Sequence, residues 1–303
     1  MIKAAVIGLG AMGQHHVRVY KELGCELAGV ADADINRARG IGEKYNTRYF
    51  YDYRNLLGCA DVVSIAVPTS AHKDVACEFL KSGSNCLVEK PIASSVAEAE
   101  IMIEAARDRN VKLMIGHIER FNPVILKLKE LIDEGVLGKV MLVSTRRVGP
   151  FQPRIRDVGI IIDSATHDID AARFLTGREP VAVYSKAGRF KHPSREDHAL
   201  IMLDFGDSAA SIEVNWFTPH KERTLVATGS EAIAYLDYID QTLTVHNSHQ
   251  ESRMKIEKAE PLKTEIAHFI ACVKNNTKPL VDGLEGLNTL KIALAASEVV
   301  CDV

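Results

Sequence analysis

The sequence lacks the features that mark membrane, secreted and nucleic-acid-binding proteins. It has no apolar run near the ~18 residues that a bilayer-spanning helix needs. Its net charge of −3 gives no attraction for nucleic acid or an anionic membrane. The six cysteines are scattered at positions 25, 59, 77, 86, 272 and 301 without a Cys-x-x-Cys pair, as is typical of reduced thiols. The apolar N-terminus lacks the layout of a signal peptide, so we expect a cytoplasmic protein with neither nucleic-acid nor membrane partners.

The length and bulk composition are those of a globular protein with more than one domain. The chain has 303 residues, of which 47% are hydrophobic and 25% charged. One hydrophobic core seldom serves so long a chain, so we expect two domains.

A glycine-rich turn follows the first strand-like run, Lys3–Ile7. It has the spacing Gly-x-Gly-x-x-Gly and precedes a helical stretch at 14–23. In such a turn the first glycine permits a tight bend, the second lets the backbone approach a pyrophosphate, and the third allows close helix–strand packing. The phosphates then lie at the helix N-terminus. The residues predicted to bind a dinucleotide here are Gly8, Leu9, Gly10, Ala11, Met12 and Gly13.

An acidic residue supports this prediction. A second strand-like run, Glu26–Ala31, ends in Asp32, 19 residues after Gly13. A carboxylate there can bind the ribose hydroxyls of NAD and would repel a 2′-phosphate, which favours NAD over NADP. Arg37 and Arg39 follow; we interpret them as a solvated helix face, and they keep NADP as the alternative. A helix–strand unit with glycines used only for packing is the structural alternative.

The alternation of strands and helices continues to about residue 116. It predicts helices at 35–45, 53–57, 73–82 and 96–110, and strands at 48–50, 61–67, 85–89 and 112–116. This is the pattern of a doubly wound parallel sheet, a Rossmann fold. Ligands bind beyond the carboxyl ends of such strands. Pro68, Thr69 and His72 follow one strand and are therefore placed on the cofactor side, with His72 interpreted as a cap or packing residue rather than a catalyst.

A lysine lies at the mouth of the strand that ends at Glu89. Burial disfavours the ammonium form, so Lys90 at such a position can act as a proton acceptor. Pro91 ends the strand, and Glu89 is expected to set the charge and position of the lysine. We predict that Glu89 and Lys90 lie at the cofactor and that Lys90 is catalytic. A strand end with a lysine that extends to solvent is the alternative.

From about Phe121 the pattern changes to a helix at 123–134 and then to short strand-like runs with turn-rich links. These runs are at 140–147, 181–190, 199–205, 209–216, 224–228, 232–238 and 242–246. They predict an α+β domain with an open, largely antiparallel sheet. Helices at 264–274 and 286–299 end the chain. We place an NAD-binding domain at 1–119 and a substrate-binding and oligomerisation domain at 120–303, whose C-terminal helix can pack back on the first domain.

Three ionisable residues share a spacing within the second domain. If residues 163–175 are helical, Asp163, His167 and Asp170 lie on one face at i, i+4 and i+7. One interpretation is an acid/base cluster for a sugar, because a carboxylate near an imidazole can raise its basicity. There are too few ligands for a metal site, and we predict none. A polar helix face with local hydrogen bonds is the alternative.

The combination of these motifs resembles the glucose–fructose oxidoreductase / inositol dehydrogenase (Gfo/Idh/MocA) family. The glycine turn, Glu89-Lys90-Pro91 and Asp163-x-x-x-His167-x-x-Asp170 match in order and spacing over essentially the whole chain. The stretches 116–123 and 213–221 are similar to the nucleotide-sugar branch of that family. The resemblance implies an NAD-dependent oxidoreductase that oxidises a sugar hydroxyl to a ketone, with the 3-hydroxyl of UDP-N-acetylglucosamine as the expected target.

The resemblance also implies roles for the site residues. His167 is expected to take the hydroxyl proton while Lys90 polarises the oxygen, although the family leaves the reverse assignment open. Asp163 would orient the sugar or the histidine. The residues expected to bind substrate are Lys90, Arg120, Asn122, Arg154, Asp163 and His167. Arginines are suited to a diphosphate or uronate, and Arg156, Lys221 and Arg223 are further candidates for that role. Asp157, Val158 and Ala165 replace glycines that the family usually has, which affects the shape of the sugar pocket.

Assembly and alternative functions follow from the same resemblance. Family members pair through the open sheet, so we expect a homodimer or homotetramer. Another UDP-sugar, a UDP-linked uronic acid or inositol are alternative substrates. A glycosidase that uses NAD for a transient oxidation, and a non-catalytic NAD-sensing regulator, are alternative functions. The joint presence of Lys90, Asp163 and His167 favours an enzyme over a regulator.

Overall fold

The computed structural model of the protein describes residues 1–151 and 158–298, which form two compact units. The first unit contains Met1–His117 and Leu262–Leu290, and the second contains Ile118–Pro261 and the described residues from Lys291 onward. Arg154, Arg156 and Asp157 lie outside the described residues.

The first unit has one sheet of six parallel strands in the order β3-β2-β1-β4-β5-β6. The strands are β1 (Lys3–Ile7), β2 (Glu26–Ala31), β3 (Tyr49–Phe50), β4 (Val62–Ile65), β5 (Asn85–Glu89) and β6 (Leu113–Gly116). All four residues of β4 are buried, as expected for a central strand covered on both faces. The predicted Rossmann fold is confirmed, because the strand order reverses direction on either side of β1 as in doubly wound sheets.

Helices connect these strands. They are α1 (Ala11–Glu22), α2 (Ile35–Tyr45), α3 (His72–Lys81) and α4 (Val96–Asp108), with short 3-10 helices at Tyr53–Leu56 and Thr69–Ala71. Local capping explains two of the helix starts. The carboxylate of Asp34 accepts hydrogen bonds from the first turn of α2, and the Ser95 hydroxyl accepts one from Glu98 N at α4.

The domain boundary differs from the sequence prediction. The first unit ends at His117 rather than at residue 119, and residues 262–290 return to it. The return is fixed at the sheet edge, where Ile115 N of β6 donates to Val281 O at 2.9 Å. This segment contains α7 (Pro261–Asn275) and the beginning of α8 (Gly283–Glu298). The sequence prediction placed 120–303 in the second domain and allowed its C-terminal helix to pack back on the first, because no local signal marks where a chain returns.

The second unit has an eight-stranded sheet in the order β14-β13-β12-β11-β7-β10-β9-β8. The strands are β7 (Val140–Pro150), β8 (Ala182–Gly188), β9 (His198–Asp204), β10 (Ala209–Asn215), β11 (Phe217–Gly229), β12 (Ala232–Asp237), β13 (Thr242–Asn247) and β14 (Glu251–Arg253). Every neighbouring pair is antiparallel except β7 and β10. The predicted open, largely antiparallel sheet is therefore confirmed, with β14 as a strand that the sequence pattern missed.

Helices cover one face of this sheet. They are α5 (Pro123–Asp133), α6 (Thr166–Thr176) and the end of α8, and a 3-10 helix, Ile118–Phe121, precedes α5. The inward residues of the strands, such as Ile201, Ile212 and Leu225, form the core with apolar residues of α5 and α6. No helix within the described part of the chain is long and apolar enough to cross a membrane.

One prediction about this unit was wrong in detail. The predicted continuous helix over 163–175 begins instead with a π-helical turn, Ile161–Ala165, before α6. The Thr166 hydroxyl donates to Ile162 O at 2.7 Å and is also 3.2 Å from Ile161 O, which satisfies carbonyl oxygens of the wider turn. Asp163 and His167 therefore lie in different kinds of helix, and the simple i, i+4 geometry does not apply.

Candidate cofactor and substrate residues

The glycine turn between β1 and α1 has the geometry of a dinucleotide cradle. Gly8 has φ +84°, and a Cβ there would lie 2.5 Å from Ala66 O. A Cβ at Gly13 would lie 1.8 Å from Gly8 O, so this glycine permits close packing of α1 on the turn. At Gly10 a Cβ would have no described atom within 4 Å. Gly8 and Gly13 are thus required by packing, whereas Gly10 borders open space that a ligand can fill.

The N-terminus of α1 is prepared for an anion. No side chain in the described residues caps this helix, and its first turn contains no acidic residue. The first N–H groups of a helix have no partner within the helix, and the helix dipole favours negative charge at that end. Ala11 and Met12 are exposed in this turn. The pyrophosphate of a dinucleotide fits this combination of free donors and an open glycine.

Asp32 lies at the end of β2, beside the glycine turn. Its carboxylate accepts hydrogen bonds from Leu9 N at 2.6 Å and from Asp34 N at 2.8 Å. One Arg37 nitrogen lies 3.2 Å from both oxygens, although the arginine side chain is itself partly exposed. The backbone donors fix the direction of the carboxylate towards the turn. Arg37 is therefore exposed on its helix, as interpreted from the sequence, and is in addition a partner of Asp32.

A cavity of about 690 Å³ lies along the carboxyl ends of β1, β2 and β4. Four of the predicted cofactor residues line it: Gly8, Gly10, Asp32 and Pro68. Arg37, which kept NADP as the alternative, lines it as well, together with three residues that the sequence reasoning missed: Tyr51, Tyr53 and Arg54. The Tyr53 hydroxyl and an Arg54 nitrogen both donate to Glu78 Oε1 at 2.9 Å, which orders this wall. A partly aromatic cavity beside a phosphate cradle suits the adenosine half of a dinucleotide.

His72 lies between two loops at the carboxyl ends of the strands. It is 1% exposed, with Nδ1 2.9 Å from Pro91 O and Nε2 3.0 Å from Val67 O. Burial lowers the pKa of His72, and the two carbonyl contacts act in the opposite direction. The histidine thus connects the loop after β4 to the loop after β5, as the sequence interpretation of a packing residue proposed. Thr69 lies in the 3-10 helix just before it and is only half-buried.

Lys90 follows the last residue of β5 and is half-buried. Its peptide bond to Pro91 is cis. The neighbouring Glu89 interacts electrostatically with it, and Oε1 of Glu89 lies 2.9 Å from His16 Nε2. Burial by itself would raise the pKa of Glu89, but His16, Lys90 and His72 reverse the shift and lower it. Lys90 therefore has an ionised carboxylate as its immediate neighbour, at the same sheet edge as the glycine turn.

The second unit brings Asp163 and His167 to a half-buried position at the start of α6. The Ser164 hydroxyl donates to Asp163 Oδ2 at 3.1 Å. Arg223 of β11 interacts electrostatically with Asp163 and is itself 42% exposed. A carboxylate, an imidazole and a guanidinium that remain accessible can bind and deprotonate a polar substrate.

Asp170 does not belong to that accessible set. It is 1% exposed, and its two oxygens accept hydrogen bonds from Arg120 Nε at 2.7 Å and Nη2 at 2.8 Å. This bidentate pair holds α6 to the 3-10 helix before α5. The expectation that Arg120 binds substrate is thus corrected, because its guanidinium is committed to a buried structural pair.

Asn122 is also structural. It caps α5 by accepting from Val124 N, and its amide lies 3.2 Å from both Glu119 Oε2 and Tyr238 O. With 2% exposure it cannot reach a substrate, so this expectation is corrected as well. Of the expected substrate residues, Arg154 lies outside the described residues.

A buried ion network surrounds Arg147 of β7. Its guanidinium donates to Asp168 Oδ2 at 2.7 Å and to Glu119 Oε1 at 3.0 Å. Burial alone would lower the pKa of Arg147, but Asp168 and Glu119 raise it. The arginine therefore stays charged. Arg223 lies 3.7 Å from Glu119 at the exposed end of the same network.

Comparison with known proteins agrees with this geometry. The family model for oxidoreductases with an NAD-binding Rossmann fold (GFO/IDH/MocA) matches residues 2–117, and the GFO/IDH/MocA C-terminal domain matches residues 125–235. UDP-N-acetylglucosamine 3-dehydrogenase of Acidithiobacillus ferrooxidans is 29% identical over 97% of this chain and 95% of its own. Its solved structure has a TM-score of 0.93 and covers 99% of this chain and 97% of that chain.

An inositol enzyme is similar to nearly the same degree. The scyllo-inositol 2-dehydrogenase (NAD(+)) of Bacillus subtilis is 28% identical over 98% of this chain and 93% of its own. Full-length relatives with different substrates indicate a shared scaffold and leave the substrate to the site residues. With both of its domains matched in order, the chain belongs to the Gfo/Idh/MocA family of NAD-binding oxidoreductases.

Proposed function

We propose that the protein is an NAD-dependent dehydrogenase that oxidises a sugar hydroxyl to a ketone, with the 3-hydroxyl of UDP-N-acetylglucosamine as the target. The observation that carries the proposal is the pair of accessible residues Asp163 and His167 in a chain that also has Lys90 beside an ionised Glu89. The full-length similarity to a UDP-N-acetylglucosamine 3-dehydrogenase supports the substrate.

Each of the candidate residues has its own role in the proposed oxidation of the alcohol. Bound NAD supplies the hydride acceptor. His167 takes the hydroxyl proton as general base, and Asp163 orients the imidazole or the sugar. Lys90 donates to the hydroxyl oxygen and holds it in position. Arg223, which reaches Asp163 electrostatically and remains partly exposed, replaces Arg120 as our candidate for an anionic group of the substrate.

The cofactor preference follows from Asp32 and Arg37. The Asp32 carboxylate, fixed by two backbone N–H groups, is suited to the hydroxyls of the adenosine ribose and opposes a 2′-phosphate. Arg37 lies beside it and would attract that phosphate. We propose NAD as the preferred cofactor, with NADP accepted weakly through Arg37.

The test is NADH formation with UDP-N-acetylglucosamine, beside free N-acetylglucosamine, a UDP-linked uronic acid, myo-inositol and scyllo-inositol. Because ketone formation can be uphill, hydroxylamine should trap the product. Turnover with the UDP-linked neutral sugar alone supports the proposal. Turnover with an inositol alone would assign the protein to the inositol dehydrogenases, which the similarity to the Bacillus subtilis enzyme makes the second candidate. Release of a sugar without NADH would indicate a glycosidase.

We also propose that two copies pair through the open sheet of the second unit. The face opposite the helices has a continuous row of cross-strand neighbours that runs through Tyr184, Met202, Ser211, Ser144, Val226 and Tyr235. Tyr184, Met202 and Tyr235 are exposed. A sheet face without covering helices that exposes large side chains such as these is typical of an interface between subunits. Sedimentation of the wild type as a dimer or tetramer, and of Met202→Glu as a smaller species, would support this pairing; a monomeric wild type would exclude it.

A further inference from the structure

A chain of buried polar side chains lies behind Glu89. His16, on α1, is 1% exposed. Its Nε2 lies 2.9 Å from Glu89 Oε1, and its Nδ1 lies 2.8 Å from Ser64 Oγ on β4. The Tyr20 hydroxyl, one turn further along α1, lies 2.9 Å from the same Ser64 oxygen. Four side chains on three elements thus form one continuous hydrogen-bonded chain that ends beside Lys90.

The donors in this chain can all point towards Glu89. A carboxylate only accepts, so His16 Nε2 carries the proton. In the neutral ring Nδ1 then accepts from Ser64, and Ser64 accepts from Tyr20. Burial raises the pKa of Tyr20, which keeps its hydroxyl protonated and able to donate. Each polar atom is satisfied in this arrangement, and the polarisation of each bond adds to the next.

The residues around Glu89 leave room for its carboxylate and act on its charge. A Cβ at Gly116 of β6, the strand neighbour of Glu89, would lie 3.3 Å from Glu89 Oε2, so the glycine leaves room for that oxygen. The charged or titratable groups that act on Glu89 are His16 on α1, His72 on α3, Lys90 and Glu265 on α7. Removing a carboxylate from water costs free energy, and an apolar side chain at this strand end would avoid that cost. The presence of a carboxylate at this position therefore indicates a role at Lys90.

We propose that His16, supported by Ser64 and Tyr20, is a positioning residue that holds Glu89 as an oriented carboxylate and through it holds Lys90 for the reaction. This inference rests on the proposed function only for the identity of the reaction. In this role His16 never touches substrate. It acts on the direction and charge of Glu89, which in turn holds the Lys90 ammonium group by electrostatic attraction.

The test compares His16→Leu, which removes the donor to Glu89, with His16→Gln, whose amide can still donate. We expect His16→Leu to lower kcat by ~10–100-fold, as is typical for loss of a residue that orients a reactive group. NAD affinity, measured by calorimetry, should stay near normal. The acid limb of the kcat profile should move to higher pH, because Glu89 without its donor protonates more readily. His16→Gln should recover most of kcat. His15→Leu, the same change at the exposed neighbour on α1, is the control.

A second measurement does not depend on activity. NMR of the histidine ring nitrogens should show a proton on His16 Nε2, and Tyr20→Phe and Ser64→Ala should shift its Nδ1 signal. These two variants should lower kcat only ~2–10-fold, the worth of a neutral hydrogen bond. A ring protonated on Nδ1 alone, or a His16→Leu variant with unchanged kcat and pH profile, would overturn the inference. If the wild type turns over no sugar, the proposed function fails, and the NMR result still decides the arrangement of the chain.

Discussion

The two units use buried polar groups in opposite ways. In the first unit the buried chain of Tyr20, Ser64 and His16 contains groups that need carry no charge, and it ends at one carboxylate. In the second unit the central buried cluster consists of ion pairs, with Arg147 between Asp168 and Glu119. Uncharged polar chains transmit orientation at small cost, whereas buried charges must be paired or they destabilise the fold.

This difference separates residues that act on ligands from residues that hold elements together. In the second unit most of the conspicuous charges, such as Arg120 and Asp170, are buried with each other. Among the described residues, Asp163, His167 and Arg223 are partly exposed, and they are the ones that we propose for a substrate. In the first unit the cofactor cradle consists largely of backbone, and the side chains near it, Asp32 and Glu89, are oriented by hydrogen bonds. Burial together with pairing is therefore the criterion that assigns a charged residue to structure.

The largest expected effect is on turnover and compares one residue from each unit. Lys90→Ala and His167→Ala should each lower kcat by ~10²–10⁴-fold, the usual contribution of general acid–base catalysis, while NAD binds with near-normal affinity. Single-turnover kinetics and calorimetry would measure the two quantities. Lys81→Ala and His249→Ala, at exposed positions, are the matched controls. Near-normal turnover in either variant would remove that residue from the proton pathway.

The next effect is on stability and tests the ion network of the second unit. Asp168→Asn leaves the Arg147 guanidinium without its bidentate partner, so we expect a loss of about 3–5 kcal/mol in the free energy of unfolding. Chemical denaturation would measure this loss. Asp240→Asn, at an exposed turn, is the control. Because Glu119 would otherwise lose its partner, all three charges are removed in Arg147→Met with Asp168→Leu and Glu119→Gln, which should recover part of the loss; a triple variant as unstable as Asp168→Asn would contradict the argument.

A smaller effect concerns cofactor choice in the first unit. Asp32→Ser should weaken NAD binding by ~10–100-fold, because a hydrogen bond to a charged group is worth about 1.5–3 kcal/mol. Arg37→Met should weaken NADP binding more than NAD binding. Arg39→Met, two residues along the same helix and exposed, should change neither affinity. Equal losses of NAD and NADP in Arg37→Met would show that Arg37 only supports Asp32.

The same comparison explains what the sequence could predict. Gly8, Gly10 and Asp32 were predictable because their roles depend on neighbours within one strand–turn–helix unit. The partner of Arg120 is 50 residues away and the partner of Arg147 is 21 residues away, so their commitment to structure has no local signal. His16 does have a sequence signal, because it occupies a buried position on α1 where an apolar residue is expected. The π-helical turn before α6 has no sequence signal that spacing rules would detect.

The last prediction is a change in the pH dependence of stability, and it tests whether a charge is tolerated near Glu89. Glu265 on α7 is fully buried, and neither carboxyl oxygen has a hydrogen-bond partner among the described residues. Burial, with a contribution from Glu89, raises the pKa of Glu265 well above its ordinary value. The folded protein therefore keeps a proton that the unfolded chain releases above about pH 4.3.

It follows that Glu265 lowers the free energy of unfolding as pH rises, by up to about 1.4 kcal/mol per pH unit, until its folded-state pKa is reached. Glu265→Gln stays neutral at every pH and keeps the shape, so its stability relative to wild type should increase between about pH 5 and pH 8. Denaturation at several pH values would measure this difference, with Glu100→Gln, at an exposed position on α4, as the control. Parallel pH curves for Glu265→Gln and wild type would mean that Glu265 is ionised in the folded protein. The first unit would then hold two adjacent buried carboxylates, and its contrast with the paired charges of the second unit would be lost.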